Sequence, residues 1–346
     1  MSTAQPTSER GVAGSDRSTA GHSKPSLSAF FQRYALVIAW IVLIIAFSVL
    51  KPSTFATSAN WSSILSTQAI FVILTLGLII PLTTGDIDLS VAFNLALCSV
   101  VVAVLNVNQG WALVPAVLAA IAVGAAIGFL NGAISVGARI DPIIVTLGMG
   151  TFIYGLTLMI SNQTTISGIG DQLSQWTVVK SVFGIPIEFY YAIVLVVVLF
   201  YVFEFTSVGR RMLIVGRGRS VAKLSGLSVN RVRIGALTAA GLFAGIAGVL
   251  YAGTSSSADP TSGSSFLLPA FAGAFLGSTA ILPGRFNPWG AVIATYFLAT
   301  GINGLQLLGA AGYVQQLFYG AALVIAVGLS QLSKRGAADA QAGPGS

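Results

Sequence analysis

Residues 206–233 read TSVGRRMLIVGRGRSVAKLSGLSVNRVR and interrupt a chain that is otherwise almost wholly apolar. The segment carries seven arginine and lysine residues and no acidic residue, and long apolar runs flank it on both sides. A basic side chain costs roughly 2.5–3.5 kcal/mol at the centre of a membrane helix, so the segment cannot lie in hydrocarbon. We therefore predict a loop between two membrane spans, on the cytoplasmic side by the positive-inside rule.

The composition of the chain indicates a membrane protein with several spans. Apolar residues make up 55% of the 346 residues, charged residues make up 8%, and the mean hydropathy is +0.87. These values are far from those of a soluble domain. The net charge is +7, and the basic residues behind it lie between apolar runs. Membrane topology therefore explains this charge better than a nucleic-acid partner does. A single cysteine and a single histidine leave no pattern for a metal site, and we expect no cofactor.

Ten apolar runs approach the ~20 residues that a helix needs to cross the membrane lipid. They cover residues 34–50, 62–82, 88–106, 112–135, 143–161, 188–206, 233–253, 266–281, 289–308 and 312–332. The eighth run is short and is predicted to be tilted or partly inserted. Glycines four residues apart, such as Gly124 and Gly128 or Gly241 and Gly245, predict close helix packing. The sequence thus predicts an all-α polytopic membrane protein with about ten transmembrane helices.

The positions of the basic residues predict how the chain is oriented. With ten spans and a cytoplasmic N-terminus, 15 of the 17 lysine and arginine residues fall on the cytoplasmic side. Residues 1–33 are rich in small and polar residues and are predicted to be a disordered cytoplasmic tail. Residues 34–332 are predicted to form the transmembrane domain, and residues 333–346 a short cytoplasmic tail. We expect a multi-pass protein with its two termini in the cytoplasm.

The segment PLTTGDIDLS at 81–90 brings acidic residues close to a membrane boundary. Gly85 ends one predicted span, and Asp86 and Asp88 open the next. Carboxylates at a helix start accept its free N–H groups and complement the positive end of its dipole. We interpret the two aspartates as helix caps, with a direct functional role as the alternative.

Amide side chains inside the predicted spans offer a path for an uncharged solute. The candidates are Gln68, Asn94, Asn131, Asn303 and Gln306. A sugar can pass a wall of amides and neighbouring aromatic rings without a tight site. The alternative is that these amides form hydrogen bonds between neighbouring helices, worth ~0.6 kcal/mol each on average.

Motifs spread along the chain resemble the permease subunits of ATP-binding-cassette importers of the ribose and branched-chain amino acid type. They are GDIDLSV at 85–91, NG at 131–132 with DPIIVTLG at 141–148, GRR at 209–211, LSGLSVNRVR at 224–233, AGLFAGIAG at 240–248 and LGSTAILPGRFN at 276–287. The resemblance runs from about residue 34 to residue 332 in the family's order. The chain departs from the family's pattern at Asp86, where the family often has glycine. It departs again at Ser278, Ala280, Pro283 and Phe286, which replace small turn residues.

The resemblance implies a fold and a set of partners. The fold is a type II ABC-importer-like permease bundle, which performs transport and no enzymatic reaction. The bundle pairs with a second permease copy or a sister chain around a central path. Two cytoplasmic ABC ATPase subunits and an extracytoplasmic solute-binding protein complete the importer in the bacterial inner membrane. Its solute is a small polar molecule of the sugar type.

Residues 219–227 are the candidate contact with the ATPase. The chain contains no GxxxxGK[ST] phosphate loop, so a partner must bind ATP if ATP drives transport. The segment alternates apolar and polar residues, which is typical of a short amphipathic helix that docks in a groove. Leu224, Gly226 and Leu227 are the predicted apolar and close contacts, with Arg219 and Lys223 at the rim. The alternative is a solvated basic loop that serves only the topology.

An ion-coupled secondary transporter is the main alternative function. Such transporters usually place ionisable groups in the middle of the membrane. Here the acidic residues fall in tails, in loops or near predicted helix ends, as Glu188, Glu204 and Asp259 do. This distribution favours an ATP-driven permease. A membrane anchor that transports nothing would not need ten spans with polar residues inside them.

Overall fold

The computed structural model describes the backbone of residues 27–342 and the side chains of residues 33–328. Helices α1 to α13 are, in chain order, Leu27–Leu50, Ser58–Thr83, Val91–Ala103, Leu113–Gly137, Pro142–Ile160, Asp171–Ser174, Ile187–Phe205, Ser207–Arg217, Arg219–Leu224, Val229–Ser255, Gly263–Gly277, Pro288–Leu307 and Tyr313–Ala342. Single π-helical turns at Val104–Asn108 and Gln175–Val179 extend α3 and α6. Strands β1 to β4 are Ile166–Ser167, Ser181–Val182, Ile185–Pro186 and Ser257–Ala258, and they form two antiparallel pairs, β1 with β4 and β2 with β3.

The apolar helices match the ten predicted runs. In the part of the chain that the structure describes, eight helices are long and apolar enough to cross a membrane. Helix α11 and the Tyr313–Gly328 part of α13 are shorter apolar helices. Helix α11 has 15 residues and is therefore about 22 Å long, short of the ~30 Å hydrocarbon core. The predicted all-α polytopic fold is confirmed, including the shortness of the eighth element.

Residues 206–233 form two short helices where the sequence predicts one loop with a short helix. The hydroxyl of Thr206 accepts a hydrogen bond from the N–H of Gly209 and caps α8. Met212 and Val215 are buried on one face of α8, while Arg210 and Arg217 are exposed on the other. This three-residue spacing of buried positions makes α8 a surface helix that lies against the bundle.

The predicted tails differ from the helix limits. Helix α1 begins at Leu27, because the sequence LSAFFQR at 27–33 contains neither proline nor glycine to break it. The earlier part of the predicted tail, residues 1–26, lies outside the described residues. Helix α13 continues to Ala342 through an alanine-rich sequence of high helix propensity. The predicted C-terminal tail is therefore helical as far as it is described.

Helices α4 and α10 meet along the glycines that the sequence singles out. A Cβ atom on Gly124 would lie 2.6 Å from the carbonyl oxygen of Gly241, and a Cβ on Gly128 would collide with the carbonyl of Leu237. Only glycine permits this approach, so the predicted close packing of small residues is confirmed for this helix pair. Helix α10 also packs against α2 and α3, which places these helices at the centre of the bundle.

One end of the bundle collects the basic residues, and we call it the basic end. Its members are Arg139, Arg210, Arg211, Arg217, Arg219, Lys223, Arg231, Arg233 and Arg285, which lie on α8, on α9 or at neighbouring helix ends and turns. Helix α2 also ends at the basic end. The carbonyl of its last residue, Thr83, lies against Gly216 of α8. The carbonyl of Arg33 in α1 accepts a hydrogen bond from the N–H of Ile281 at 3.0 Å, so α1 begins at this end as well.

Candidate functional site

Three of the five predicted path amides meet in one cavity, which we call the amide cavity. Gln68 of α2, Asn303 and Gln306 of α12, and Gln315 and Tyr319 of α13 line this space of about 170 Å³. Because α2 ends at the basic end, its first half and the cavity beside it lie toward the opposite end of the bundle. The lining offers amide and hydroxyl groups without a formal charge, as an uncharged polar solute requires.

Hydrogen-bonding capacity in the amide cavity is only partly used. Among the described residues, the buried side-chain oxygen Oε1 of Gln68 has no hydrogen-bond partner. Asn303 accepts a hydrogen bond from the amide of Asn60 at 3.2 Å. A buried acceptor without a donor costs about 1–3 kcal/mol, so a solute hydroxyl that donates to Gln68 would recover part of that cost.

Asn94 and Asn131, the other two predicted path residues, hold helices together. Each is buried. Asn94 donates to the carbonyl of Gly124 at 3.0 Å, and Asn131 donates to the hydroxyl of Ser90 at 2.8 Å. These bonds tie the start and middle of α3 to α4, away from the amide cavity. These bonds match the alternative interpretation of the two asparagines, which lie outside the amide cavity, and their place on a solute path stays a prediction.

Asp86 is a fully buried carboxylate that forms ion pairs with two arginines. The guanidinium of Arg219 donates to Oδ1 at 2.6 Å, and that of Arg233 donates to both carboxylate oxygens at 2.9–3.1 Å. The hydroxyl of Thr84 donates to Oδ2 at 3.1 Å. We call Thr84, Asp86, Arg219 and Arg233 the Asp86 cluster.

The prediction that Asp86 caps the third span is wrong. Helix α3 begins at Val91, and residues 84–90 run toward it as a non-helical segment in which Asp86 and Asp88 are buried and Gly85 is exposed. The oxygens of Asp86 are occupied by Arg219 and Arg233, which lie more than 130 positions along the chain. Arg219, predicted at the rim of an ATPase contact, is bound to its own chain and also donates to the carbonyl of Gly85 at 3.1 Å, while its side chain stays partly exposed. Its contact with an ATPase stays a prediction.

Asp88 lies three residues before Val91, the first residue of α3, and its role as a helix cap stays a prediction. Its Oδ1 accepts hydrogen bonds from the N–H of Ser90 at 2.9 Å and from the Ser90 hydroxyl at 2.6 Å. Burial raises the pKa of Asp88 above its ordinary value, and the hydrogen bonds from Ser90 oppose that shift. Because Ser90 also accepts from Asn131, Asp88 is linked through Ser90 to α4. The carboxylate orders the entrance to α3 from a position three residues before the first residue of the helix.

Helix α9 presents apolar side chains outward at the basic end. Leu224 is 89% exposed and Val221 is 65% exposed, while Ala222 between them is buried. Lys223 is exposed, and Leu227 is partly buried. An exposed leucine of this degree on a short helix beside arginines is a candidate contact for another protein.

Gly226 ends α9 because of its backbone conformation. Its φ is +77°, its N–H donates to the carbonyl of Lys223 at 3.0 Å, and the next N–H, of Leu227, donates to Ala222 at 3.0 Å. This left-handed helix ending favours glycine. Within the described residues, no atom lies within 4 Å of a Cβ placed on Gly226. The close approach predicted for this glycine therefore has no counterpart inside the chain, and its contact with a partner stays a prediction.

Glu188 is a buried polar residue whose importance sequence reasoning missed. It lies in the first turn of α7, where the sequence indicates only a helix end, yet its side chain is fully buried. Its carboxylate accepts hydrogen bonds from the hydroxyl of Ser66 in α2 and, at 2.5 Å, from that of Thr254 in α10. The sequence shows that α2 and α10 contain serine and threonine residues that could donate hydrogen bonds to Glu188. It does not show that these two helices pack against α7, because that depends on the tertiary structure.

The model of the family "Branched-chain amino acid transport system / permease component" matches residues 60–327. The chain belongs to this family. The match contains the amide cavity, the Asp86 cluster and α9, so the candidate sites lie within the shared part of the permease.

Three relatives match this chain over nearly their full length. The ribose import permease of Escherichia coli strain K12 is 32% identical to this permease over 302 residues, 86% of this chain and 94% of that protein. The ribose import permease of Bacillus subtilis strain 168 is 33% identical over 297 residues, 86% and 92% of the two chains. The D-allose transport system permease of Escherichia coli strain K12 is 27% identical over 317 residues, 91% and 97% of the two chains. No solved structure gives a significant match.

These comparisons confirm the resemblance carried by the sequence motifs. The chain is a multi-pass membrane permease, a transport subunit from a family not known for enzymes.

Proposed function

We propose that this permease is the transmembrane subunit of an ATP-binding-cassette importer that passes a sugar into the cytoplasm. The amide cavity carries the proposal, because it offers uncharged hydrogen-bonding groups and a free buried acceptor to a polyhydroxylated solute. Relatives that match over most of their length include ribose import permeases and a D-allose transport system permease. The fit between that solute class and the cavity supports a sugar as the solute.

The charge of the basic end supports a cytoplasmic position for it, because basic residues concentrate on the cytoplasmic side of membrane proteins. ABC ATPase subunits then dock there, with Leu224 of α9 entering an apolar groove. An extracytoplasmic solute-binding protein delivers the sugar at the opposite end, nearer the amide cavity. A second copy of the permease, or a sister chain, completes the path.

In this proposal the permease performs no covalent chemistry and alternates between two packings of its helices. Closure of the ATPases on ATP moves α9, and the Asp86 cluster passes that movement to residues 84–90. The ion pairs suit this role because Arg219 at the start of α9 and Arg233 in α10 hold the same buried carboxylate. A shift of α9 therefore pulls on the segment that joins α2 to α3.

Uptake of radiolabelled ribose and D-allose tests the proposal, in cells that lack their own sugar permeases and express this permease with its ATPase and binding protein. We expect uptake of at least one sugar to require ATP hydrolysis. Gln68→Leu and Leu224→Asp should each lower uptake by about tenfold or more. The first removes a contact with the solute, and the second removes the leucine that the proposed ATPase groove would bury. Recovery of the ATPase on the tagged permease should fall only for Leu224→Asp.

Matched controls are Gln109→Leu, which removes an exposed amide outside the amide cavity, and Lys223→Ala, which removes a solvent-exposed charge worth ~0–1 kcal/mol. Equal ATPase recovery with Leu224→Asp and with the unaltered chain would contradict docking through α9. Unchanged uptake with Gln68→Leu would contradict the path.

Ion-coupled secondary transport is the second candidate, because Glu188 is a buried carboxyl of the kind that such transporters use. Its oxygens accept hydrogen bonds from Ser66 and Thr254, which favours a structural role. Collapse of the sodium and proton gradients with ionophores, at a constant ATP level, separates the two functions. Uptake that stops under these conditions would support the second candidate.

A further inference from the structure

A groove at the edge of the basic end is apolar along its length and basic at its mouth. It encloses about 490 Å³ between α7, α8 and α10. We call it the α7–α10 groove and define it by Val198, Val202, Gly235, Ala239, Arg211 and Arg231. None of these residues belongs to the amide cavity or to the Asp86 cluster.

The apolar part of the groove lies on membrane spans. Val198 is half exposed on the outer face of α7, and the buried rings of Phe203 and Phe243 form part of the floor. Along α10 the lining runs from Arg231 to Phe243, twelve residues or about 18 Å. That length is close to half of the ~30 Å hydrocarbon core of a bilayer. The groove therefore has the depth of one leaflet.

The mouth of the groove carries two arginines that form no ion pair with the described residues. Arg211 in the second turn of α8 and Arg231 in the first turn of α10 are exposed and line the same space, together with Ser228. No acidic residue is among the described residues that line the groove, and in the described part of the chain neither arginine forms an ion pair. Arginine presents a planar set of N–H donors that matches the oxygens of a phosphate.

We propose that the α7–α10 groove binds one anionic phospholipid, with its headgroup phosphate between Arg211 and Arg231 and an acyl chain along Val198, Val202 and Ala239. Three observations select this occupant. Among the described residues the mouth is positive and forms no ion pair, the lining behind it is apolar, and the change between the two occurs where α7 ends and α10 begins. Basic pockets between membrane helices at the cytoplasmic surface are typical sites for anionic headgroups. The bound lipid would hold α8 against the bundle.

Native mass spectrometry of the purified full chain tests this proposal. Phosphatidylglycerol and phosphatidylcholine with identical acyl chains are added in equal amounts before detergent release. We expect one phosphatidylglycerol to be retained in preference to phosphatidylcholine. The double variant Arg211→Gln/Arg231→Gln should lower that retention by about tenfold or more, because the charge-assisted hydrogen bonds are lost. The control Arg210→Gln/Arg217→Gln removes the same number of positive charges, both of them from α8. It should keep the preference for phosphatidylglycerol.

A second variant tests the apolar part without touching the arginines. Gly235 is exposed, and no atom lies within 4 Å of a Cβ placed on it, so Gly235→Trp fills open space in the groove. We expect it to prevent retention of the lipid, whereas Gly148→Trp, at an exposed glycine of α5, should not.

Four results would overturn the proposal. They are equal retention of the two lipids, equal losses in the arginine variants and their control, unchanged retention in Gly235→Trp, and displacement of the lipid by inorganic phosphate alone, which would mean a simple anion site. If the purified chain formed a dimer without lipid and Gly235→Trp dissociated that dimer, the proposal would also fail. The groove would then be an interface between two copies of the chain.

Discussion

The Asp86 cluster and the amide cavity are each polar and enclosed by helices, but they use their hydrogen-bonding groups differently. In the cluster, each oxygen of Asp86 accepts hydrogen bonds, and two guanidinium groups form ion pairs with the carboxylate. In the cavity, the lining is uncharged and the buried oxygen of Gln68 has no partner among the described residues. We call the Asp86 cluster a filled network, because its hydrogen-bonding groups have partners, and the amide cavity an unfilled one. A filled network holds helices in place, while the free groups of an unfilled network can bind a passing solute.

The comparison separates stability from transport. Removing a member of the filled network leaves a buried group unpaired, so the folded state should lose free energy. Removing a member of the unfilled network takes away a group that was already unpaired, so the folded state should lose little. The three predictions below use this difference, from the largest expected effect on stability to the smallest.

Asp86→Ala should have the largest effect. It leaves Arg219 and the mostly buried Arg233 without their counter-charge, and breaking such a pair typically costs about 3–5 kcal/mol. Thermal unfolding of the purified chain and the amount of folded protein in membranes measure the loss. Glu204→Ala is the control, because its pair with Arg285 is partly exposed and should contribute at most ~1 kcal/mol. Similar losses in the two variants would remove the distinction between this cluster and an ordinary surface pair.

Asp88→Asn should have a smaller effect that depends on pH. The folded chain raises the pKa of Asp88 by burial, so it binds the proton more tightly than the unfolded chain does. The stability that this group contributes is therefore present at low pH and is lost as the pH rises through the raised pKa. Asparagine keeps an acceptor for the N–H of Ser90 and does not ionise. Asp88→Asn should thus be as stable as the unaltered chain or more stable at neutral pH, with a weaker decline between acid and neutral pH.

Asp88→Leu is the matched comparison, since it removes the acceptor as well as the charge and should cost ~1 kcal/mol. Unfolding of the three proteins at several pH values measures the difference. Identical pH profiles for the unaltered chain and Asp88→Asn would show that Asp88 contributes nothing to the pH dependence.

Gln68→Leu should have the smallest effect on folding. The oxygen that it removes has no partner in the described structure, so the free energy of unfolding should change by less than ~1 kcal/mol or rise slightly. Asn131→Leu is the matched amide removal, because its oxygen Oδ1 is likewise buried without a partner among the described residues. Asn131 also donates a hydrogen bond to the hydroxyl of Ser90, and the loss of that bond should destabilise the chain by about 1 kcal/mol. If Gln68→Leu destabilised the chain more than Asn131→Leu, the amide cavity would be a structural network like the Asp86 cluster.

The amides show the limit of sequence reasoning most clearly. Gln68, Asn303, Asn94 and Asn131 are the same kind of side chain inside similar apolar runs. The first two line the amide cavity, and the last two bind α3 to α4. Hydropathy and spacing cannot distinguish them, because the difference is which neighbouring helix each side chain meets.

The sequence alone determined the ten apolar helices, the shortness of α11, the exposed apolar character of α9 and the membership of the permease family. These properties depend on local composition, on the length of apolar runs and on short motifs, which a single chain carries in order. Charge alone also grouped the turns at Arg139 and Arg285 with residues 206–233, and the structure brings them together at the basic end.

Only the tertiary structure decided the roles of Asp86 and Glu188. The sequence places Asp86 beside a predicted helix start, where a capping role is expected, yet Arg219 and Arg233 bind it from 133 and 147 positions away. The sequence places Glu188 at a helix end, yet hydroxyls from two other helices donate hydrogen bonds to it. The physical reason is that a carboxylate takes whatever donors the folded chain places around it, and helix packing brings those donors from distant parts of the sequence.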